Sequence, residues 1–223
     1  MKKIIYHGSS HMIEHPIFGQ GKPYNDYGSG FYCTEHLELA KEWACTIEQD
    51  GYVNEYEIDL SDLSILNLSD ENYTILHWLN LLVENRSFRK TTPLMKQSAE
   101  WLIKNYHIDL SNFDIIIGYR ADDSYFAFAR AFLNNEISLS QLSYAMKLGK
   151  LGHQIVIKSE KAFHRLHFIS GIFVDGSIYY PKRKIRDSKA REDYIKKIEN
   201  LDLNGLYIRD LIREEKKNHE SSI

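Results

Sequence analysis

The sequence has few of the residues that cross-link a protein through disulfides or bind a metal ion. Among its 223 residues only two are cysteines, and the twelve positions that separate Cys33 from Cys45 fit neither a zinc site nor a thioredoxin motif. His153, His164 and His167 do not form the metal-site pattern of paired histidines with a nearby glutamate. We therefore expect two structural thiols, no disulfide scaffold and no metal.

The chain also lacks a strong charge and a long hydrophobic run. Its 28 Lys and Arg face 31 Asp and Glu, a formal net charge of -3, which argues against a protein that holds nucleic acid by bulk electrostatics alone. A local basic face remains compatible with this balance. No run approaches the roughly 18 apolar residues of a membrane span, and residues 1–8 lack the hydrophobic region of a signal peptide. We expect a cytoplasmic protein with no membrane partner.

Aromatic side chains are the abundant class, with 15 Tyr, 10 Phe and 3 Trp. With 43% hydrophobic and 26% charged residues, the composition is that of a globular protein. Large rings pack in cores and also stack on flat ligands, so the aromatic content is compatible with either use.

Periodicity and turn residues divide the chain into a first part with both strands and helices and a mainly helical middle and end. The patterns predict strands at 3–7, 28–34, 52–60, 113–119, 153–158 and 168–174, with a surface loop at 9–26. They predict helices at 34–51, 73–85, 93–106, 122–133, 138–148, 188–200 and 205–217. We therefore predict an α+β domain over residues 1–180 with a helical insertion at about 70–107, and a helical C-terminal extension over 181–223.

Two separated motifs indicate a ligand site. Tyr6-His7-Gly8-Ser9 ends the first strand, and Gly28-Ser29-Gly30-Phe31-Tyr32-Cys33-Thr34 forms the second strand. A strand-end histidine beside a glycine can hydrogen-bond a sugar hydroxyl while the backbone approaches a planar amide closely. Tyr32 and Trp43, on the following helix, are predicted to form the two walls of a slot for a flat ring such as nicotinamide.

These residues resemble the ADP-ribosyltransferase superfamily, of the His-Tyr-Glu type seen in diphtheria toxin and poly-ADP-ribose polymerases. The resemblance implies a fold of split antiparallel β-sheets and NAD as substrate. It implies that His7 binds the adenine-side ribose, that the Gly8 backbone binds the carboxamide, and that Tyr32 stacks on nicotinamide. Trp43 stands where a second tyrosine is usual.

A closer resemblance covers about residues 3–175 and is to a bacterial domain family of unknown function within that superfamily. It is carried by the two motifs above, by Ala40-x-x-Trp43-Ala44 and by Gly118-Tyr119-Arg120-x-Asp122-Asp123-Ser124-Tyr125-Phe126. Ser9, Gly30 and Arg120 are further candidates for contacts to NAD.

Gln154 stands where the superfamily places its catalytic glutamate. Glutamine keeps a hydrogen bond to the ribose but supplies no charge, and charge-assisted hydrogen bonds are about twice as strong as neutral ones. Asp122 and Asp123, at a predicted helix start, are candidates for the missing carboxylate. The alternative is that they cap the backbone amides of that helix.

The leading hypothesis is a mono-ADP-ribosyltransferase that modifies an intracellular protein or nucleic acid, as the toxin of a bacterial toxin–antitoxin pair with an antitoxin protein as partner. A second hypothesis is a catalytically inactive module that binds a nucleotide or a protein. A third is an enzyme whose slot holds another ring, such as a nucleobase, because stacking tolerates many rings. The basic stretch at 182–197 is compatible with a solvated helix face or with a nucleic-acid contact.

Overall fold

The computed structural model describes residues 1–86, 91–120, 123–150, 152–200 and 202–220. Across these ranges the chain is a mixed α/β protein with two sheets and eight helices. The strands are β1 (Lys2–Ser9), β2 (Phe31–Cys33), β3 (Gly51–Asp59), β4 (Ile65–Asn67), β5 (Ile115–Tyr119), β6 (His153–Ile157) and β7 (Leu166–Val174). The helices are α1 (Leu37–Ala44), α2 (Ile75–Asn85), α3 (Pro93–Tyr106), α4 (Asp123–Leu133), α5 (Leu139–Ala145), α6 (Glu160–Phe163), α7 (Gly176–Ile198) and α8 (Ile208–Glu220).

The first sheet is antiparallel and has the strand order β1-β3-β7. Its central strand β3 follows the predicted alternation at Asn54, Tyr56 and Ile58, which are all buried. Val53 departs from it, because this residue of the opposite face is also buried, in a cluster with Ala40 and Ala44 of α1. The pairing between β3 and β7 shifts register between Glu55 and Tyr56. This irregularity leaves the buried face intact, since Tyr56 and Ile58 remain on it.

The second sheet has the order β2-β6-β5-β4. β2, β6 and β5 pair antiparallel, but β4 pairs parallel to β5. The expectation of wholly antiparallel sheets is therefore wrong at this edge, and β4 is a three-residue strand that the sequence patterns did not indicate. One isolated bridge joins the two sheets, where Tyr6 and Thr34 exchange backbone N–H···O bonds of 2.8 and 2.9 Å.

The second sheet is buried on both faces, which explains the unbroken apolar run Ile115-Ile116-Ile117. One face packs on the first sheet in a cluster of Ile5, Cys33, Tyr56, Ile58, Ile115, Ile155, Ile157 and Ala162. The other face, with Ile116 and Val156, packs on α2, α3, α4, α5 and α8 in the larger core. Both cysteines are buried and unbonded, so the expectation of structural thiols is confirmed.

The middle helices begin and end close to the predicted positions because their caps are local. The Thr92 hydroxyl accepts from the Met95 amide at 3.1 Å, ahead of Pro93 in the first turn. The Ser138 hydroxyl accepts from the Gln141 amide at 3.2 Å and the Gln141 side chain accepts from the Ser138 amide at 2.9 Å, which is a capping box.

Two helix predictions were wrong in extent. α1 covers Leu37–Ala44 rather than 34–51, because the Thr34 backbone is held in the bridge to Tyr6 and Ile47 lies outside the helix, exposed. α7 begins at Gly176 rather than at 188 and contains Pro181. Asp175 caps it, accepting from the Ser177 amide at 2.8 Å. The predicted domain boundary at 180/181 falls inside this helix.

None of the helices in the described ranges is long and apolar enough to cross a membrane.

Candidate functional site

A cleft of about 710 Å³ opens beside the bridge between the two sheets, and we call it the first cleft. Its volume lies within the roughly 300–1,000 Å³ that small-molecule and cofactor sites usually have. β1, the loop before β2, β2 itself and β6 contribute to its lining, which includes His7, Asp26, Phe31, Tyr32, Arg120 and Gln154. Residues far apart in the sequence therefore share one cavity.

His7 is held rigidly at the wall of the first cleft. Its ring stacks on Phe31 with centroids 4.3 Å apart and planes at 28°, and its Nδ1 lies 2.7 Å from the Tyr32 carbonyl oxygen. Because a carbonyl oxygen only accepts, Nδ1 must carry the proton of the neutral ring. Burial lowers the pKa of His7, which favours this neutral form. Nε2 is therefore left as a hydrogen-bond acceptor.

Tyr32 is a wall of the cleft and not an acid or base. Its hydroxyl donates to the Gly28 carbonyl oxygen at 2.7 Å and accepts from the Tyr27 amide at 3.0 Å. Burial raises the pKa of Tyr32 well above its ordinary value, so the hydroxyl stays protonated. These contacts fix the ring in one position from which a flat ligand could stack on it.

Gln154 shares a sheet face with Tyr32, because Val156, two residues on, lies opposite Tyr32 in the register. The Gln154 side chain is buried, and its Nε2 donates to Asp26 Oδ2 at 2.9 Å. A carboxylate only accepts, so this contact fixes which end of the amide faces Asp26. In the described part of the chain Gln154 Oε1 has no hydrogen-bond partner.

Asp26 is the residue that sequence reasoning missed, since it was assigned to a surface loop. It is buried, and its Oδ1 accepts from Arg86 Nε and Nη2, each at 2.7 Å. Arg86 is 60 residues away in sequence and Gln154 is 128 residues away. No local pattern could reveal these partners; only the tertiary fold places a carboxylate against the glutamine.

Trp43 and Tyr32 do not form the two walls of one slot. Trp43 lines a different cleft, beside α7, and the guanidinium of Arg120 lies 3.4 Å from the centroid of its ring. Arg120 also lines the first cleft. The slot prediction was wrong because Arg120 stacks on the Trp43 face, so that this face is not open to a ligand.

The remaining predicted residues are divided between the cleft and its support. Ser9 and Gly30 line the first cleft. Gly8 instead faces α1, where an added Cβ would lie 2.2 Å from the Ala40 carbonyl oxygen, so a glycine is needed for this packing. Asp122 lies outside the described residues. Asp123 is the first residue of α4, and its backbone alone is described.

His7, Ser9, Gly30, Tyr32, Arg120 and Gln154 thus meet at one cavity, with Asp26 and Arg86 added by the fold. In the described ranges no group of three or more His, Cys, Asp or Glu residues is arranged to hold a metal ion.

Comparison with known proteins gives one family match. Residues 3–168 match the model of a family described as protein of unknown function (DUF3990). No curated protein and no solved structure matches the sequence. The matched range contains all the lining residues of the first cleft together with both sheets up to the start of β7, and it ends before α7. Because the match covers more than half of the chain, this protein belongs to the DUF3990 family.

Proposed function

We propose that the protein is an ADP-ribosyltransferase that binds NAD in the first cleft and transfers ADP-ribose to a macromolecule. The observation that carries the proposal is the convergence of a neutral His7, a fixed Tyr32 ring and an oriented Gln154 amide in one cavity. His7 and Tyr32 are positions at which the sequence resembles the superfamily, and Gln154 stands where the superfamily has its glutamate.

Each of the three residues has a role that its geometry permits. His7 Nε2 accepts a hydrogen bond from a ribose hydroxyl, and the stacked Phe31 keeps the imidazole in place. The Tyr32 ring stacks on the nicotinamide. Gln154 Oε1 accepts from a hydroxyl of the ribose whose bond is to be broken.

Asp26 supplies the negative charge that Gln154 lacks. This charge acts on the ribose hydroxyl indirectly, because Asp26 polarises the Gln154 amide that binds the hydroxyl. A donor that bonds to a carboxylate is polarised, and such chains strengthen each hydrogen bond by about 10–30%. Gln154 Oε1 is thereby a better acceptor than an isolated amide oxygen. Arg86 balances part of the Asp26 charge, so we expect a slower reaction than a directly placed carboxylate gives. Asp26 is in this sense a positioning residue.

The transfer breaks the bond between the nicotinamide nitrogen and the ribose C1 carbon. Nicotinamide leaves with the electron pair of that bond, a lone pair on the acceptor forms the new bond to C1, and the acceptor proton passes to water. Gln154 holds the ribose hydroxyl while positive charge develops on the sugar, which is the step where preorganised partners act most strongly.

NAD binding is the first test. At 100 times its dissociation constant a ligand adds about 2.7 kcal/mol of stability, or about 5–11 °C in Tm for a chain of this size. We expect this shift for the native protein and a much smaller one for His7→Ala. A shift with a nucleobase or a mononucleotide and none with NAD would refute the proposal and favour an enzyme or module for another ring.

Turnover is the second test, and it separates an enzyme from a binding module. We expect the native protein to transfer label from adenylate-labelled NAD to a cellular fraction, and Gln154→Met, which keeps the side-chain volume without the amide, to reduce that transfer by about 10²–10³-fold. Binding of NAD with neither transfer nor hydrolysis would establish the inactive module instead.

The biological role that fits this activity is a bacterial toxin restrained by an antitoxin protein. Induced expression is then expected to slow bacterial growth, and His7→Ala or Tyr32→Ala to restore it at equal soluble protein levels. Equal toxicity of both variants would exclude an NAD-dependent toxin.

A further inference from the structure

A second cleft, of about 520 Å³, lies between α1 and α7. An ion pair between the buried Glu42 and the half-buried Arg186 lies in its wall: Glu42 Oε2 accepts from Arg186 Nε at 2.9 Å and Glu42 Oε1 from Nη2 at 2.7 Å. Arg186 Nη1 also donates to the Gly149 carbonyl oxygen at 2.8 Å. These contacts fix the part of the wall in which α1 meets α7.

The charges in the second cleft favour an anionic ligand. Its two carboxylates are both engaged, Glu42 by Arg186 and Asp187 by Arg191 at 2.9 Å. Arg183 and Lys184 also line the cleft, and neither forms an ion pair within the described ranges. Two positive charges are thus left to face whatever enters, although the whole chain has a formal charge of -3.

The cleft also offers flat apolar surface beside these charges. Tyr180 lines it, half-buried, and Lys184 Nζ lies 5.7 Å from the centroid of the Tyr180 ring. Trp43 also lines it, but Arg120 covers one face of that ring. An acidic peptide needs the cations alone, whereas a nucleotide uses cations for its phosphate and a ring for its base. The combination favours the nucleotide.

The basic surface continues beyond the cleft along α7. A neighbouring groove shares Lys184 and Ser188 with the second cleft and adds Lys189 and Lys196. Glu192 and Asp193 also line it, so its three lysines leave a formal excess of one positive charge. At 1.5 Å per residue the distance from Lys184 to Lys196 is about 18 Å along the helix axis. A surface of this length suits a polymer rather than a single nucleotide.

The two clefts are adjacent. Arg120, which lines the first cleft, stacks on Trp43, which lines the second, with the guanidinium 3.4 Å from the ring centroid. A molecule in the second cleft is therefore separated from the first by one stacked pair of side chains. A polymer bound in the second cleft can therefore extend past this pair toward the first cleft, where its acceptor group has to meet the ribose.

We propose that the second cleft and the basic face of α7 bind single-stranded nucleic acid, which is the acceptor of the ADP-ribose. Arg183 and Lys184 contact its phosphates and Tyr180 stacks on a base. The assignment as acceptor rests on the function proposed above, whereas binding itself does not require NAD.

The test measures binding of a fluorescein-labelled single-stranded RNA of 12 nucleotides by anisotropy, without NAD and at several salt concentrations. Single-strand affinity falls with log salt by a slope of about 0.7 per phosphate contacted, so R183A/K184A is expected to reduce the slope by about 1.4. The matched control is R209A/R213A, which removes the same charge from exposed positions on α8 and should leave the slope unchanged. Equal losses in both double variants would overturn the proposal, since bulk charge alone gives that result.

Tyr180 provides an independent measurement. Loss of one stacked base weakens single-strand binding by about 5- to 150-fold, so we expect this effect for Tyr180→Leu and near-native affinity for Tyr180→Phe. Equal affinities of the Leu and Phe variants, absence of RNA binding, or tighter binding of polyglutamate than of RNA would each refute the cleft assignment. RNA binding without an NAD shift would leave the cleft as a nucleic-acid site and refute the transferase function instead.

Discussion

Replacing Asp26 by Asn tests whether this buried carboxylate holds both the cleft and the Gln154 amide in place. The change keeps the shape of the side chain but removes the charge that accepts two bonds from Arg86 and one from Gln154. The Asn side chain at position 26 can point its NH₂ group at Gln154. Two NH₂ donors then face each other, so the Gln154 amide has to turn its Oε1 atom toward residue 26. The acceptor that we assign to the ribose hydroxyl is then lost from the cleft.

The magnitude follows from the environment of the pair. Removing one partner of a buried ion pair costs about 3–5 kcal/mol, but the Arg86 side chain is 32% exposed, so water compensates part of this loss. We expect Asp26→Asn to lower the free energy of unfolding by about 2–3 kcal/mol, using the net value of roughly 1.5–3 kcal/mol for a hydrogen bond to a charged group. For a chain of this size the corresponding fall in Tm is about 4–12 °C.

Urea unfolding and the NAD thermal shift measure the two consequences separately. Asp70→Asn is the same change at an exposed carboxylate, whose hydrogen bond from Asn67 Nδ2 at 2.8 Å an amide oxygen can still accept, so it should alter stability by less than about 0.5 kcal/mol. In a double-mutant cycle with Arg86→Met, the double variant should lose at least about 1 kcal/mol less than the sum of the single variants. Additivity within about 0.5 kcal/mol would show that Asp26 and Arg86 do not interact. A full NAD shift in Asp26→Asn would show that Gln154 is not positioned by Asp26.

Three further predictions concern the same region. Gln154→Glu brings a second carboxylate against Asp26, and the repulsion between the two negative charges should lower the free energy of unfolding at neutral pH; equal stability of the two proteins in urea unfolding would contradict this. Burial lowers the pKa of His7 below its unfolded value of about 6.5, so the unfolded chain binds more protons than the folded chain in mild acid. In urea unfolding, the native protein should therefore lose more stability than His7→Gln when the pH falls from 7 to 5. Equal losses in the two proteins would refute the lowered pKa of His7. Gly8→Ala places a Cβ 2.2 Å from the Ala40 carbonyl oxygen and should cost about 1–3 kcal/mol or more, whereas unchanged stability in chemical denaturation would show that α1 shifts freely.

The short-range features of this protein were largely readable from its sequence. The apolar run at Ile115-Ile116-Ile117 predicted a buried strand, and Pro93 predicted a helix start, because both signals depend on neighbouring residues only. Strand β4 and the early start of α7 were not predicted. β4 has three residues and is stabilised by pairing with β5, and Pro181 inside α7 reads locally as a helix breaker.

At the candidate site, the difference between what the sequence determines and what the tertiary structure decides is larger. The sequence determined which residue types were available: a strand-end histidine, a glycine-flanked tyrosine and a glutamine on a later strand. Only the tertiary structure decided that Arg120 covers Trp43, that Gly8 packs on α1, and that a loop aspartate is buried against Gln154. The physical reason is that hydrogen bonds and ring contacts reach only a few ångströms, while these partners are separated by tens to more than a hundred residues of chain, so the pairing of the two sheets had to bring them together first.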